Sequence, residues 1–267
     1  MAVSVSSAIG CGSPLGRALD TVAATGAKRL DLLTIGAWAH VNPADLARDY
    51  AGTVAQLDTL LSRAGLSLLA LNTGTTVQLH DRSDAANNAR AAQTEALCRL
   101  MQDKLVATAA IQPLQPDRNR RPDEVMRDCI ASLRQQYAIA SRYGVRLAVE
   151  LHVNSPFESV AEAQTLLREM PEVGVVYDPT HFVMQGIPLK ETTWIMDRAI
   201  HVHARDAARG MLQVPLGQGE IDFVWMARSL RDRGFSGNVS VEYLQTDKFD
   251  VVDSARRLYE RLCGLFE

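Results

Sequence analysis

Three carboxylates and an imidazole, Glu150, Asp178, His203 and Glu242, recur through the second half of the chain at separations of 28, 25 and 39 residues. Each lies at or near the end of a short β-leaning run, where alternate side chains face opposite ways. In Arg146–His152, Glu150 shares a face with Arg146, Ala148 and His152, opposite Leu147, Val149 and Leu151. In Gly174–Asp178, Asp178 falls with Gly174 and Val176. In Ala199–Arg205, His201, His203 and Arg205 oppose Ile200, Val202 and Ala204. In Asn238–Leu244, Glu242 falls with Ser240 and Leu244, opposite Val239, Val241 and Tyr243. Three carboxylates brought to one point would repel and raise one another's pKa unless a cation neutralised them. Carboxylates with imidazole and no cysteine suit one divalent metal, Mn2+, Mg2+, Co2+ or Zn2+, rather than a structural zinc site.

Bringing four strand ends together requires a particular scaffold. Further strands are predicted at Val3–Ser6, Arg29–Thr34, Ser67–Asn72 and Leu105–Ile111, making eight. Helical patterns lie between them. Ser13-Pro14 opens one that Gly26 stops, and Asn42-Pro43 opens a single long one carrying Leu46, Tyr50, Val54, Leu57 and Leu61 on one face until Gly65. Arg82–Asp103, Pro122–Tyr143, Glu158–Met170, Phe223–Arg233 and Asp247–Phe266 follow, with Pro188–Asp197 short and poorly defined. Strict alternation without a linker predicts one α/β domain over residues 1–267, either a (β/α)8 TIM barrel or a doubly wound sheet. The run Gly10-Cys-Gly-Ser-Pro-Leu-Gly16 is no dinucleotide fingerprint, since Pro14 sits inside it. Chain length and eight βα units favour the barrel, whose active sites lie at the C-terminal ends of the strands.

Composition excludes several functions. The net charge of −3 offers no basic stripe for nucleic acid. No apolar run reaches the roughly 18 residues of a membrane helix. Met1-Ala-Val-Ser-Val-Ser-Ser has no basic segment followed by a long apolar one, so no secretory signal is expected. Cys11, Cys98, Cys129 and Cys263 are scattered without metal or redox spacing, as suits reduced thiols in the cytoplasm.

Five segments carry a family resemblance: LAVELH around Glu150, YDPTH with Asp178 and His181, HVHARD from His201 to Asp206, GQGEIDF from Gly217 to Phe223, and VSVEY around Glu242. Together they resemble the xylose-isomerase-like TIM barrel superfamily, which includes sugar phosphate isomerases and epimerases, inosose and dehydroshikimate dehydratases, and endonuclease IV. The resemblance implies a mononuclear metal held by Glu150, Asp178, His203 and Glu242, with His203 rather than His201 as the imidazole ligand and His201 a hydrogen-bonded core residue. It implies that Glu150 and Glu242 are also the catalytic proton carriers. One would remove the proton beside a substrate carbonyl polarised by the metal, and the other or a water would return it. His181 would contact the substrate, Arg205 would steady the developing oxyanion, and His152 would contact the substrate or act as a base.

Other positions are weaker. Trp38 and His40, in GAWAH after the second strand, are candidates for the substrate mouth or for packing, and Asn72 and Gln112 end strands. Asp206 reads as a ligand's partner or a loop cap, and Arg118–Arg121 as a solvated loop or a phosphate clamp.

The leading expectation is a divalent-metal-dependent isomerase or epimerase of a keto-sugar or related polyhydroxy ketone, working on a small molecule and compatible with a homo-oligomer. A metal-dependent lyase acting on an oxo-polyol is the alternative, favoured by Glu150-x-His152. Endonuclease IV chemistry needs further histidines, and this chain has six with none after His203. A non-catalytic barrel subunit would not be expected to keep all four ligands.

Overall fold

The computed structural model describes residues 1–36 and 40–267, so Trp38 lies outside the described residues. Eight parallel strands close in sequence order into a barrel: β1 (Val3–Ser6), β2 (Arg29–Ile35), β3 (Ser67–Gly74), β4 (Thr108–Ile111), β5 (Arg146–Glu150), β6 (Gly174–Tyr177), β7 (Ala199–Ala204) and β8 (Asn238–Val241). The seam pairs Val3 with Val239 and Val5 with Val241. This is the (β/α)8 barrel that the alternation of elements predicts.

The helices α1 (Leu15–Ala24), α2 (Pro43–Arg48), α3 (Tyr50–Ala64), α4 (Asp84–Asp103), α5 (Pro122–Tyr143), α6 (Val160–Glu169), α7 (Pro179–Met184), α8 (Thr193–Met196), α9 (Phe223–Asp232) and α10 (Val251–Phe266) occupy the connections. Outward strand residues such as Val5, Leu32, Leu71, Val149, Val175, Val202 and Val241 bury against them. That burial removes apolar surface from water and is the main source of cohesion. Helix ends follow local chemistry. Ser159 and Glu162 form a reciprocal capping box at α6, and Gly144 ends α5 at φ +67, a left-handed turn that suits a residue without Cβ.

Three expectations need correction. The long helix from Pro43 to Gly65 is two helices, broken where Asp49 leaves helical geometry (φ −137, ψ 79) and turns its carboxylate to cap Gly52 N–H. The fourth strand starts at Thr108 rather than Leu105. Leu105 is 92% exposed at φ +56, in a turn closed by the Val106 N–H to Met101 carbonyl bond (2.8 Å). Ile200 does not join the outward set. The pairing of β6 with β7 shifts register between Val175 and Val176, and Ile200 packs instead with Ala110, Ala148 and Val176. A residue gained by one strand at such a bulge re-aims its side chain.

Small and polar residues fill the layer beneath the mouth. Ser4 and Ser240 hydroxyls meet at 2.6 Å, beside Asp31 and His201, all fully buried. No helix among the described residues is long and apolar enough to cross a membrane.

Candidate metal centre

The four chemistry-bearing residues sit where their strands end. Glu150 is the last residue of β5, His203 lies one before the end of β7, and Asp178 and Glu242 directly follow β6 and β8. All four are buried, and one ligand atom from each lies within 4.8 Å of every other. Donors opposed across a cation with bonds of about 2.1 Å stand roughly 4.2 Å apart, so the cluster has the span of one ion's coordination sphere. Asp178 also caps α7, its Oδ1 accepting from the backbone N–H (2.8 Å) and hydroxyl (2.6 Å) of Thr180. That fixes Oδ1 and leaves Oδ2 to the cluster.

Contacts among the four explain their electrostatics. His203 Nδ1 lies 2.7 Å from Glu150 Oε1 and 3.4 Å from Glu242 Oε2. Burial opposes a charged imidazole, but Glu242, Glu150 and the hydrogen bond to Asp31 raise His203 well above its ordinary pKa. Burial likewise disfavours Glu150 as an anion, yet facing His203 its carboxyl is held below the usual range. For Glu242 burial prevails over His203 and Arg205, and its carboxyl is raised. Arg205 Nη1 donates to Glu242 Oε2 (2.6 Å) and Nη2 to Asp178 Oδ2 (3.1 Å), so one guanidinium bridges two of the candidate ligands.

The neighbours include residues from the sequence analysis and others outside it. His181 is fully buried. Its Nε2 has no hydrogen-bond partner among the described residues and lies 3.4 Å from Asp178 Oδ2; burial pushes its pKa down to about 3 despite that carboxylate. The rings of His152 and His181 meet with centroids 4.1 Å apart and planes tilted by 46°, and His152 lines a cleft of about 340 Å³ with Ile35, Gln78, Gln112 and Asn154. His40 is not brought into the cluster, since Ser7 Oγ (3.0 Å) and the Gly10 carbonyl (3.1 Å) occupy its two ring nitrogens. Asp206 caps the loop after β7, accepting from the N–H groups of Gly217 (2.8 Å) and Gly219 (3.1 Å). This explains the GQG segment: a Cβ at Gly219 would stand 2.0 Å from Asp206 Oδ1. In the Arg118–Arg121 loop, Arg120 pairs with Asp128 and Arg121 with Asp123 and Glu124.

Three polar residues of the early strands complete the site. Asn72 Nδ2 donates to Glu242 Oε1 (2.5 Å), Gln112 Nε2 donates to Glu150 Oε2, and Asp31 Oδ2 meets both His201 Nε2 (3.3 Å) and His203 Nε2 (3.2 Å). Asn72 and Gln112 stood out in the sequence only as strand ends. Asp31 did not stand out, although a lone carboxylate inside the apolar run RLDLLTI is a signal, because charges are rarely buried without a partner.

A closed eight-stranded βα barrel carrying an acidic, imidazole-containing cluster at its C-terminal mouth defines a recognisable class of protein. The family model described as xylose isomerase-like TIM barrel matches residues 19–262, and the chain belongs to that family. Over 164 residues it is 26% identical to the inosose isomerase of Bacillus licheniformis, an alignment spanning 57% of this chain and 58% of that protein. It is similar in fold to the crystal structure of the IolI protein with a zinc atom (TM-score 0.73, 20% identity, 99% and 98% of the two chains). It is also similar in fold to the D-allulose 3-epimerase of Methylomonas sp. in complex with D-allulose (TM-score 0.76, 14% identity, 100% and 97%).

Proposed function

We propose that this chain is a divalent-metal-dependent isomerase or epimerase of a keto-sugar or related polyhydroxy ketone. The observation that carries the reading is the convergence of Glu150, Asp178, His203 and Glu242 within 4.8 Å, with each glutamate held by an amide donor on its far oxygen. The donor set fits Mn2+, Mg2+, Co2+ or Zn2+. Charge fits too: Glu150, Asp178, Glu242 and Asp31 are buried together, and Arg205 is the one guanidinium that touches them among the described residues. The zinc atom of the similar IolI structure supports the same reading.

A bound divalent cation supplies Lewis acidity that polarises a substrate carbonyl and eases loss of the adjacent proton. The protein's residues supply the rest. Gln112 and Asn72 each tie down one oxygen of Glu150 and Glu242, so the other oxygen is presented in a fixed direction for proton transfer. Arg205 holds Glu242 and Asp178 in register and offers positive charge where an oxyanion would form. The unpartnered His181 Nε2 is free to meet a substrate hydroxyl.

The test combines metal analysis with solvent exchange. Purified protein is expected to hold about one divalent ion per chain, reduced in Glu242→Gln, and to exchange a carbon-bound hydrogen of a keto-sugar with D2O. Absence of metal after reconstitution overturns the reading. Turnover that yields an enone or aromatic product, with loss of a β-hydroxyl, would replace it with the lyase, in which His152, beside Glu150 and His181, would serve as the base.

A further inference from the structure

We propose that Asp31 is a positioning residue for the metal centre: it holds His203 through Nε2–H so that Nδ1 is the nitrogen presented to the ion, and His201 locks Asp31 in that role. The inference rests on the metal reading above and adds a residue to it.

Asp31 is fully buried in β2 and pairs with no lysine or arginine among the described residues; its hydrogen-bond partners there are the two imidazoles. A buried carboxylate is costly unless it is paired, so a lone one in an apolar strand needs compensating contacts. The geometry supplies them on one oxygen. Oδ2 is 3.2 Å from His203 Nε2 and 3.3 Å from His201 Nε2, while Oδ1 has no hydrogen-bond partner among the described residues. On the opposite side of the His203 ring, Nδ1 faces Glu150 Oε1 at 2.7 Å and Glu242 Oε2 at 3.4 Å. With an ion in the cluster, an imidazole whose Nε2 faces a carboxylate would keep its proton on Nε2 and offer its Nδ1 lone pair to that ion. Metal-ligating histidines are commonly oriented by a carboxylate on the far nitrogen.

His201 has its own part in this arrangement. Its ring stands at 88° to that of His203 with centroids 5.1 Å apart, and its Nε2 lies between Asp31 Oδ2 and Ser240 Oγ (3.2 Å). Ser240 in turn meets Ser4 at 2.6 Å. Asp31 is thereby anchored from β7, β8 and β1, and its Oδ2 cannot swing away from His203 without breaking a second bond. Both histidines of His-x-His have work: one faces the donor cluster, and the other holds the residue that orients it.

The experiment titrates metal-free protein with Zn2+ and with Mn2+, measuring affinity by calorimetry against a competing chelator. It compares wild type, Asp31→Asn and His201→Gln, with folding followed by circular dichroism. Asp31→Asn keeps the shape and removes the charge, and its affinity is expected to fall about 10–100-fold. His201→Gln is expected to weaken binding by less. In zinc-loaded, 15N-histidine-labelled wild type, His203 is expected to show a protected, hydrogen-bonded Nε2–H resonance that Asp31→Asn loses. Wild type that binds metal together with variants of equal affinity, within twofold, overturns this inference and leaves the metal site standing. Wild type that binds no metal overturns the metal reading itself. Should Asp31→Asn not fold, the affinity of His201→Gln decides: unchanged binding overturns the inference.

Discussion

The two halves of the barrel are built alike and furnished differently. β5 to β8 end in Glu150, Asp178, His203 and Glu242, side chains that converge on one point. β2 to β4 place no residue in that four-membered group. They provide Asp31, Asn72 and, just past β4, Gln112, which bond to residues of the other half: Asp31 to His201 and His203, Asn72 to Glu242, and Gln112 to Glu150. One half carries the four clustered groups, and the other, helped by Arg205, holds them still. A barrel makes this division natural, because closure brings strands far apart in sequence face to face across its interior.

The sharpest way to break the comparison is to remove a donor. Glu150→Gln is nearly isosteric, so the barrel should stand while the residue can neither ligate as an anion nor carry a proton. Turnover is expected to fall by about 10²–10⁴, the usual worth of a positioned acid or base, and metal content with it. A variant that keeps both would remove Glu150 from the centre and leave the division between halves without its main support.

A smaller effect is expected from the holding half. Gln112→Met takes away the amide that binds Glu150 Oε2 while filling a similar volume. The expected outcome is a rate lower by about 10–100-fold with metal content close to wild type, because the carboxylate stays but loses its fixed direction. Asn72→Ala should act in the same way on Glu242. Kinetics and metal analysis on one preparation check this. If Gln112→Met empties the site as Glu150→Gln does, the division of roles between the two halves fails.

The halves were also unequally legible in the sequence. Glu150, Asp178, His203 and Glu242 could be read because they stand at strand ends at intervals of about one βα unit, in strands whose other face is apolar. The barrel followed from the same alternation. Asn72 and Gln112 acquire meaning only from partners 170 and 38 residues away: closure of the barrel brings Asn72 to Glu242, and the pairing of β4 with β5 brings Gln112 beside Glu150. Asp31 shows the limit most clearly, since the two imidazoles that satisfy it lie on β7 while the residue sits on β2. The inward turn of Ile200 was hidden for a related reason: a register shift between neighbouring strands adds one residue and leaves no mark in the alternation of types.

The smallest effect should come from the seam that joins the two halves on the outside. Glu267 Oε1 accepts from Val3 N–H of β1 at 2.9 Å and from Arg29 Nη1 of β2 at 2.5 Å. The hydrogen bond from Val3, with Arg29 beside it, holds the Glu267 carboxyl below the usual range against a small opposing effect of burial. A carboxyl depressed in the folded state stabilises above its unfolded value, and that contribution disappears as pH falls through the lower folded value. The pair is partly exposed, so solvent screens it, and Glu267→Gln should cost about 0.5 kcal/mol at neutral pH. Urea unfolding of both proteins at neutral and acid pH checks the sign: the difference should shrink on acidification and never reverse. Metal affinity should not change, because among the described residues the hydrogen bonds of the Glu267 carboxylate go to Val3 and Arg29, neither of which is a member of the donor cluster. A seam substitution that loosened the metal would mean that the holding half acts through the whole closed barrel, and not through Asp31, Asn72 and Gln112 alone.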